Sequence, residues 1–474
     1  MNGNFDLIIV GAGPCGIFAA HETMRLSPKA KVLLIDRGAD IYSRGCPIIK
    51  GTTKLCPMQS GGNELAECKP ACSVTCGFGG AGAYSDGKFN ITAEFGGWLG
   101  DYMPASKLLE LIKHVDRINL AHGAPQKITD SSKPAVRRIE KKVYGAGLKL
   151  LKAEVRHLGT ELNLRILRSV YDELSSQIDM RFKTAVEDVL IESGRVAGIV
   201  TVDGESFYGT NVLIAPGRNG SGWLSDLLAK RGIPVSCNQV DIGVRAETSD
   251  VIMQDINKHL YEAKLIFNSS TGSVVRTFCA NPSGHVVVEN HGGIVAANGH
   301  AYNDPKLGSE NTNFALLVSH VFTKPFNKPN AYAREICRRA NDLSGGGVII
   351  QRYGDILKGR RSTEKRIVEG FLEPTLKEAV PGDLGLVLPY NTMKSLVEMT
   401  QVLDKVTPGF ASEHTLFYGV EAKFYSARPE VGNDLQTTIK GLYCAGDGAG
   451  ITRGLAQAGA SGVYVARAIQ GRSE

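Results

Sequence analysis

Residues 6–36 hold the sequence feature that most limits the possible fold. A G-x-G-x-x-G turn (Gly11, Gly13, Gly16) follows an apolar run, and Asp36 ends the next apolar run twenty residues after Gly16. In such a unit the first glycine permits a tight turn, the second lets the backbone approach a pyrophosphate, and the third lets the helix pack closely on the strand. The phosphates would lie at the positive end of a helix that begins near Pro14, and the Asp36 carboxylate would reach a ribose. The pattern predicts a strand–turn–helix–strand unit that binds a dinucleotide, and it does not choose between NAD and FAD.

Length and composition indicate a globular protein of two or three domains. The chain has 474 residues, of which 43% are hydrophobic and 22% are charged, as is usual for soluble domains. The net charge is +6 without a long basic run, so nucleic acid is not an expected partner. The sequence has no apolar stretch of about 18 residues and no signal-peptide pattern, so we expect no membrane span. We therefore expect a cytoplasmic protein whose ten cysteines are mostly reduced.

The order of the patterns predicts an α/β fold in which a Rossmann-type domain is interrupted by other segments. The chain also contains a mixed α+β domain that would bind the substrate. This second domain has no strand–G-x-G-x-x-G–helix unit of its own. A separate nicotinamide domain is therefore not expected. The predicted parts are residues 1–97 with a Cys- and Gly-rich segment at 41–97, a helical insertion at 98–175, the second part of the nucleotide domain at 176–224, the substrate domain at 225–430, and the last part of the nucleotide domain at 431–474.

Local patterns predict several elements inside these parts. Leu148, Leu151, Val155, Leu158 and Leu162 recur at three- and four-residue spacing, which favours an amphipathic helix. In the substrate domain, apolar runs predict strands at 286–288 and 348–350 and helices at 315–320 and 391–404.

Glycines near the C-terminus point to FAD as the dinucleotide. Residues 212–217 and 442–450 are apolar runs that end in glycine turns, and the second contains Gly446 and Asp447. This plan resembles flavoproteins of the glutathione-reductase type, which implies that Asp447 accepts a hydrogen bond from the ribityl chain. It also implies that a helix opens at Gly454 with its positive end towards the flavin N1–C2=O edge. The cofactor-binding residues implied here are Ala215, Gly217, Gly446, Asp447, Gly454, Leu455 and Ala456.

Four more segments resemble the hallmarks of a family of FAD-dependent dehydrogenases with this FAD/NAD(P)-binding fold. They are residues 77–88, 276–287, 381–389 and 408–412, and the resemblance covers essentially the whole chain. The chain departs from that family at 298–302 and 419–428, where the substrate is expected. The resemblance implies that the cofactor is also bound by Arg37, Gly79, Gly80, Ala81, Gly82, Ser85, Asp86 and, at the adenine, Val186.

Half of the cysteines are concentrated between residues 46 and 76: Cys46, Cys56, Cys68, Cys72 and Cys76. The last three recur every four residues, which would place them on one face of a helix. Such thiolates can hold a [4Fe–4S] cluster or zinc, although C-x₃-C-x₃-C is not a standard ferredoxin or zinc-ribbon spacing. A redox-active thiol pair and plain buried thiols are the alternatives.

The other five cysteines fall in two kinds of surroundings. Cys15, Cys237, Cys337 and Cys444 lie in apolar patterns and are expected to be packing residues, whereas Cys279 lies in the hallmark segment 276–287.

The candidate acid–base residues stand in the hallmark or departing segments. Because FAD carries out hydride chemistry, the protein needs to supply orientation, proton transfer and exclusion of water. The catalytic candidates are Tyr425, Lys423, His300 and His285, followed by His291, Tyr302 and Glu421.

The predicted function is an FAD-dependent oxidoreductase, a reductase or dehydrogenase. It would act on a C=C/CH–CH or C–heteroatom bond of a small metabolite and exchange electrons with a redox carrier protein or diffusible NAD(P)H. A flavin monooxygenase and an electron-transfer flavoprotein with an iron–sulfur cluster are the alternatives. No hydrolase or phosphoryl-transfer motif is present.

Overall fold

The computed structural model describes residues 4–47, 50, 52, 71–85, 87–129, 133–260, 263–291, 293–302, 305–326 and 328–471. The chain divides into two compact units. The first unit comprises Met1–Thr129, Ala153–Ser236 and Ser426–Glu474, and the second comprises Asp130–Lys152 and Cys237–Tyr425. The predicted insertion at 98–175 is therefore shared between the units, and 225–236 and 426–430 belong to the first.

The first unit is built on a parallel five-stranded sheet. Its strands are β1 (Leu7–Val10), β2 (Val32–Ile35), β6 (Asp179–Arg181), β10 (Val212–Ile214) and β22 (Leu442–Cys444). They lie in the order β22-β10-β1-β2-β6, and each neighbouring pair is parallel. Strands β1 and β2 are buried along their whole length, which explains why they read as continuous apolar runs rather than alternating ones. The predicted β-α-β start of the chain agrees with this arrangement.

Two helices pack against each other beside this sheet, α1 (Pro14–Leu26) and α11 (Leu455–Ile469). Glycines permit their close approach, because a Cβ at Gly462 would lie 2.0 Å from the Cys15 carbonyl oxygen and one at Gly459 would lie 2.8 Å from Phe18. The other elements of the unit are β3 (Lys88–Ile91), α2 (Ala105–Ala121), β5 (Glu154–His157), α4 (Thr160–Ser175), β7 (Val186–Glu192), β8 (Arg195–Thr201), β9 (Ser206–Tyr208), α5 (Ser221–Lys230), β11 (Val235–Ser236) and β21 (Arg428–Pro429), with 3₁₀ turns at Gly80–Tyr84, Leu99–Asp101, Arg218–Gly220 and Asp447–Ala449.

The second unit is built on an eight-stranded sheet in the order β19-β18-β20-β12-β17-β14-β13-β4, beside a hairpin of β15 and β16. The strands are β4 (Lys149–Leu151), β12 (Val240–Ser249), β13 (Lys264–Asn268), β14 (Val274–Asn281), β15 (His285–Asn290), β16 (Val295–His300), β17 (Asn311–His320), β18 (Ile349–Arg352), β19 (Val380–Pro381) and β20 (Leu416–Lys423). The helices are α3 (Pro134–Gly145), α6 (Asp250–His259), α7 (Pro329–Leu343), α8 (Tyr353–Leu357), α9 (Glu364–Val368) and α10 (Tyr390–Asp404), and 3₁₀ turns occur at Pro305–Leu307 and Leu384–Leu386.

The central strand β12 has two buried faces of opposite character. Val240, Ile242, Val244 and Ala246 belong to the apolar core of the unit. The alternating residues Asp241, Arg245 and Glu247 are fully buried as well. Because successive side chains of a strand point to opposite faces, one side of this sheet is lined with buried charge. We call these three residues, with Glu421 and Lys423 of β20, the charged face.

Two helical predictions are wrong, and pairing with distant strands is the reason in both. Residues 315–320 belong to β17, which pairs with β12 on one side and β14 on the other. Residues 148–158 contain β4, which pairs with β13, and β5, which pairs with β3. A short apolar run buried on both sides cannot be assigned to helix or strand by its periodicity. The predicted strands at 286–288 and 348–350 and the helix at 391–404 correspond to β15, β18 and α10.

Candidate functional site

The protein's own packing requires glycine at two of the three positions of the N-terminal turn. Gly11 has a φ of +109°, and a Cβ there would lie 2.1 Å from the Ala215 carbonyl oxygen. A Cβ at Gly16 would lie 1.9 Å from the Gly11 carbonyl oxygen. Gly13 differs, because its φ of −78° suits any residue and its Cβ would meet no protein atom within 4 Å. The protein's own packing therefore requires Gly11 and Gly16, whereas the glycine at position 13 suits close approach of a ligand to the backbone.

Chain segments far apart in sequence converge on this turn. A Cβ at Gly80 would lie 3.1 Å from the Cα of Gly13, one at Gly446 would lie 3.2 Å from the Cβ of Cys15, and one at Gly448 would lie 2.4 Å from the Gly217 carbonyl oxygen. Gly79 donates its N–H to the Ala12 carbonyl over 2.7 Å. We call residues 11–16, 79–82, 215–217, 446–448 and 454–456 the glycine cradle.

Asp36 lies where the sequence predicts, at the end of β2, and it also holds backbone together. Its Oδ2 accepts the Ala12 N–H over 2.8 Å. Its Oδ1 accepts the N–H groups of Gly38 over 2.7 Å and Gly77 over 2.9 Å. The carboxylate thus ties the glycine turn to the segment at Gly77, and its role at a ribose stays a prediction.

Arg37 is the neighbour of Asp36 in sequence, and a backbone hydrogen bond brings the segment before Val186 to Asp36. Arg37 is half-buried directly after Asp36. The Thr184 N–H donates to the Asp36 carbonyl over 3.1 Å, which brings the start of β7 at Val186 beside the end of β2. This placement is compatible with the predicted adenine contact of Val186.

The predicted C-terminal helix begins as expected. Gly454 is the N-cap of α11 with a φ of +100°, and no side chain caps the helix. The first N–H groups of Leu455, Ala456 and Gln457 therefore have no intrahelical partner and carry the positive end of the helix dipole. The side chain of Leu455 lies against Gly82, because a Cβ at Gly82 would lie 2.6 Å from its Cδ2.

Asp447 precedes this helix and binds it. Its Oδ1 accepts the Thr452 hydroxyl over 2.8 Å, and its Oδ2 accepts the Gly454 N–H over 3.2 Å. Burial raises the pKa of Asp447 above its usual value, and the positive charge of Arg218 opposes that rise. The carboxylate is held at the cradle in a fixed orientation, and its contact with a ribityl chain stays a prediction.

Four other predicted cofactor residues lie in the cysteine- and glycine-rich segment. Gly82 is buried and Ala81 is exposed. Ser85 ends the 3₁₀ turn, where its hydroxyl donates to the Gly82 carbonyl over 2.7 Å. Asp86 lies outside the described residues.

Arg44 organises this segment and was not predicted. Its buried guanidinium donates to the carbonyl oxygens of Ser73, Val74, Phe78 and Gly80 over 2.5–3.1 Å. One side chain thus holds residues 73–79, which form turns but no helix or strand, to the start of the 3₁₀ turn at Gly80. The sequence offers no signal for this role, because Arg44 is one of several charged residues between Asp36 and Lys54.

The cysteine prediction receives no support from the described part of the chain. Cys72 and Cys76 are joined by a single turn in which the Cys76 N–H donates to the Cys72 carbonyl over 2.9 Å. Cys46, Cys72 and Cys76 are free thiols, and as described they do not form a three-ligand group. Cys56 and Cys68 lie outside the described residues, so the five-cysteine metal site stays a prediction.

The packing role predicted for the other cysteines is correct for three of the four. Burial raises the pKa of Cys15, Cys337 and Cys444 to about 12, which makes them poor nucleophiles. Cys237 is exposed instead, because the strand of the second unit begins only at Val240.

The charged face of the second unit surrounds Glu421, one of the candidates. Its carboxylate lies 3.3 Å from the Arg245 guanidinium and 3.0 Å from the Lys423 ammonium. Arg245 and Glu421 have no exposed side-chain surface, whereas Lys423 retains 19%. Arg245 also donates to Asn313 Oδ1 over 2.9 Å. A buried pair of this kind is tolerated only when its remaining donors and acceptors are satisfied.

Tyr425 is held against the charged face by its hydroxyl. The Tyr425 O–H donates to the Asp241 carboxylate, and Asp241 is fully buried. Gln239 donates to the other oxygen of Asp241 over 3.0 Å. The tyrosine hydroxyl therefore has a carboxylate partner that can take up a proton.

The histidine candidates come together on the β15–β16 hairpin. His285 and His300 face each other in the antiparallel register, and Tyr302 packs edge-on against both rings at 5.6 Å and 4.7 Å between centroids. The His285 Nε2 is 2.9 Å from the Leu307 carbonyl oxygen. His291 is 3.5 Å from the Glu289 carboxylate. The sequence prediction gave no reason for these four side chains to share one hairpin.

Residues 240–424 match the family described as FAD-dependent protein, C-terminal domain-like. This range covers β12 to α10 and β20 and thus contains the whole charged face. The match supports the prediction of an FAD-dependent enzyme, with FAD as its cofactor. An uncharacterized protein of Clostridium beijerinckii is 26% identical over 489 residues, which span 98% of this chain and 80% of that protein.

Several solved flavoprotein structures are similar to the chain at low scores. The match to a mutated form of E. coli quinol fumarate reductase FrdA has a TM-score of 0.40 and 14% sequence identity. It covers 99% of this chain and 70% of the FrdA chain. The match to glycine oxidase from Bacillus cereus has a TM-score of 0.35 and 14% sequence identity, and it covers 99% of this chain and 96% of that oxidase. The match to L-proline dehydrogenase from P. horikoshii has a TM-score of 0.37 and 12% sequence identity, and it covers 99% of this chain and 94% of that dehydrogenase. These scores lie below 0.5, so they carry no conclusion about substrate or reaction.

The described residues contain no helix that is long and apolar enough to cross a membrane.

Three residues of the charged face, Asp241, Arg245 and Glu247, were not among the candidates. A signal for them exists in the sequence, because charged residues alternate with apolar ones along residues 240–247. Alternation usually indicates one solvent-exposed face. Here the packing of the second unit buries both faces, so the sequence pattern alone would have placed these charges in water.

Proposed function

We propose that this chain is an FAD-dependent oxidoreductase of the glutathione-reductase-type fold that reduces an unsaturated bond of a small metabolite or carries out the reverse dehydrogenation. The observation that carries the proposal is the glycine at position 13. Neither its φ nor its protein contacts require glycine, whereas a pyrophosphate lying against the backbone does. FAD supplies the hydride chemistry when it is bound.

The residues of the glycine cradle would bind and orient the cofactor. The N-terminus of α1, directly after Gly13, offers N–H groups and a positive dipole end to the phosphates. The uncapped N-terminus of α11 offers the same to the flavin ring. Asp36 and Asp447 are fixed by backbone N–H groups, so their remaining lone pairs are positioned in advance to accept hydroxyl groups of the cofactor.

In the second unit, Lys423 and Tyr425 are the groups proposed to bind the substrate or exchange a proton with it. Lys423 is the partly exposed end of the Arg245–Glu421–Lys423 chain, so its ammonium can contact a ligand without breaking the buried pair. The Tyr425 hydroxyl is paired with Asp241, which gives a proton on that oxygen a carboxylate acceptor. His285 and His300 remain further candidates, and a separate carrier or NAD(P)H would exchange the electrons.

An absorption spectrum of the full chain, purified without oxygen, tests the cofactor first. The two bands of oxidised flavin, bleached by dithionite, are expected, and a folded colourless protein that does not bind added FAD would refute the proposal. Mixing the loaded protein with NADH or NADPH then shows whether either serves as the electron donor. Substrate-coupled oxygen uptake would indicate the monooxygenase alternative.

A pair of lysine variants tests the role of the second unit. Lys423→Met is expected to lower turnover or substrate affinity while flavin content stays unchanged. Lys405→Met removes an exposed lysine after α10 and serves as the matched control. Equal activity of the two variants would exclude Lys423 from the reaction.

A further inference from the structure

Three helices of the first unit bring two imidazoles and a carboxylate to one point. His21 lies on α1, His122 follows the end of α2, and Glu173 lies on α4. The Glu173 carboxylate is 3.5 Å from His21 Nε2 and 3.1 Å from His122 Nε2. One ligand atom from each side chain lies within 4.8 Å of the other two. None of these residues belongs to the glycine cradle or to the charged face.

We propose that His21, His122 and Glu173 form a binding site for a divalent transition-metal ion, with zinc as the ion that suits them best. Two neutral imidazoles and one carboxylate give a ligand set with a net charge of −1, and zinc accepts such nitrogen and oxygen ligands in tetrahedral geometry. Three protein ligands leave the fourth position open to water. The site is accessible, because Glu173 is 41% exposed while the histidines are 15% and 9% exposed.

The surroundings of His122 support a ligand role for its Nε2. Its Nδ1 is 2.8 Å from the Ser169 hydroxyl. When Nδ1–H donates to that oxygen, the lone pair of the ring lies on Nε2, the atom that faces Glu173. Metal-bound histidines usually have such a partner at their other nitrogen, which fixes the tautomer and the ring orientation.

His21 differs from His122 at its second nitrogen. Its Nε2 faces the Glu173 carboxylate over 3.5 Å, whereas its Nδ1 is buried and has no hydrogen-bond partner in the described part of the chain. No partner therefore fixes the tautomer of His21 as Ser169 does for His122. The geometry of His122 and Glu173 carries the proposal, and His21 adds its Nε2 as the third ligand atom.

The ion would connect the helices that carry the glycine cradle. Helix α1 begins directly after Gly13, and His21 lies two turns further along it. Helix α4 also contacts the cradle, because Asn163 donates to the Gly82 carbonyl over 2.7 Å. We therefore expect metal binding to raise the melting temperature of the protein and to hold the cradle more rigidly.

Cobalt titration of the full-length protein, stripped of metal with a chelator, tests the site. One equivalent of Co²⁺ is expected to give visible bands of a nitrogen–oxygen site, without the thiolate-to-metal charge-transfer absorption that cysteine ligands produce. Zn²⁺ should displace it and raise the melting temperature by a few degrees when it is saturating. Because binding competes with protons on the histidines, affinity should fall as the pH is lowered.

Matched variants separate this site from the cysteines. Glu173→Gln should weaken Co²⁺ binding by at least about 100-fold and abolish the zinc-dependent rise in melting temperature, and Ser169→Ala should weaken binding by about 10- to 100-fold. Glu161→Gln makes the same change at another exposed position of α4 and should bind metal as the wild type does. The proposal is overturned if the wild type binds no Co²⁺ at a nitrogen–oxygen site, or if Glu173→Gln binds it as tightly as the control.

Discussion

Replacing Gly13 with alanine should separate cofactor binding from folding. The φ of −78° accommodates alanine, and the new methyl would meet no protein atom within 4 Å. A Gly→Ala change at a compatible backbone conformation stabilises by about 0.4–1 kcal/mol through the unfolded chain. Alanine is a poorer N-cap than glycine by a similar amount. The free energy of unfolding of the FAD-free protein should therefore change by less than about 1 kcal/mol.

The affinity for FAD should fall clearly in the same variant. A methyl that has to share space with the pyrophosphate costs about 1–3 kcal/mol by the usual penalty for overpacking, which corresponds to about a 5- to 150-fold rise in Kd. Flavin fluorescence during titration of the FAD-free protein measures the affinity, and urea unfolding of the same preparation measures the stability.

Gly16→Ala provides the contrast within the same turn. Its methyl would lie 1.9 Å from the Gly11 carbonyl oxygen and 3.0 Å from the Ile9 side chain, so α1 would have to move away from β1. We expect a loss of about 3 kcal/mol in the FAD-free protein, at the upper end of overpacking costs. If Gly13→Ala unfolds like Gly16→Ala, or if it binds FAD with wild-type affinity, the assignment of Gly13 to the cofactor is wrong.

Three further predictions follow from buried or partly buried charges. Arg44→Met should leave the carbonyl oxygens of residues 73–80 without donors and weaken FAD binding at least about tenfold, since those residues lead into the cradle; unchanged affinity would contradict this. Glu421→Gln should lower the free energy of unfolding by about 3–5 kcal/mol, because it leaves Arg245 buried without its counter-ion, and urea unfolding measures it. The hydrogen bond from His291, opposed by burial, lowers the pKa of Glu289 from 4.5 to about 2. Its contribution to stability should be present above pH 4.5 and lost as the pH falls towards 2, so the difference in unfolding free energy between wild type and Glu289→Gln should shrink over that range.

The elements whose causes are local could be predicted from the sequence. The G-x-G-x-x-G turn needs glycine at fixed offsets between a strand and a helix, and β1, α1 and β2 formed where the pattern predicts. The start of α11 at Gly454 was predictable for a similar reason, because a glycine turn precedes a long helical pattern. The convergence of residues 79–82 and 446–448 on that turn agrees with what the resemblance to flavoproteins implied.

The other features could not be predicted, because they depend on long-range pairing and burial, which leave weak traces in a single sequence. Residues 315–320 are a strand because β12 and β14 flank them, although the same apolar run would fit a helix. The charges of residues 241–247 look like a solvated face, and the packing of the second unit buries them and pairs Arg245 with Glu421. Likewise His21, His122 and Glu173 are separated by about 50 to 150 positions, and only the packing of three helices brings them to one point.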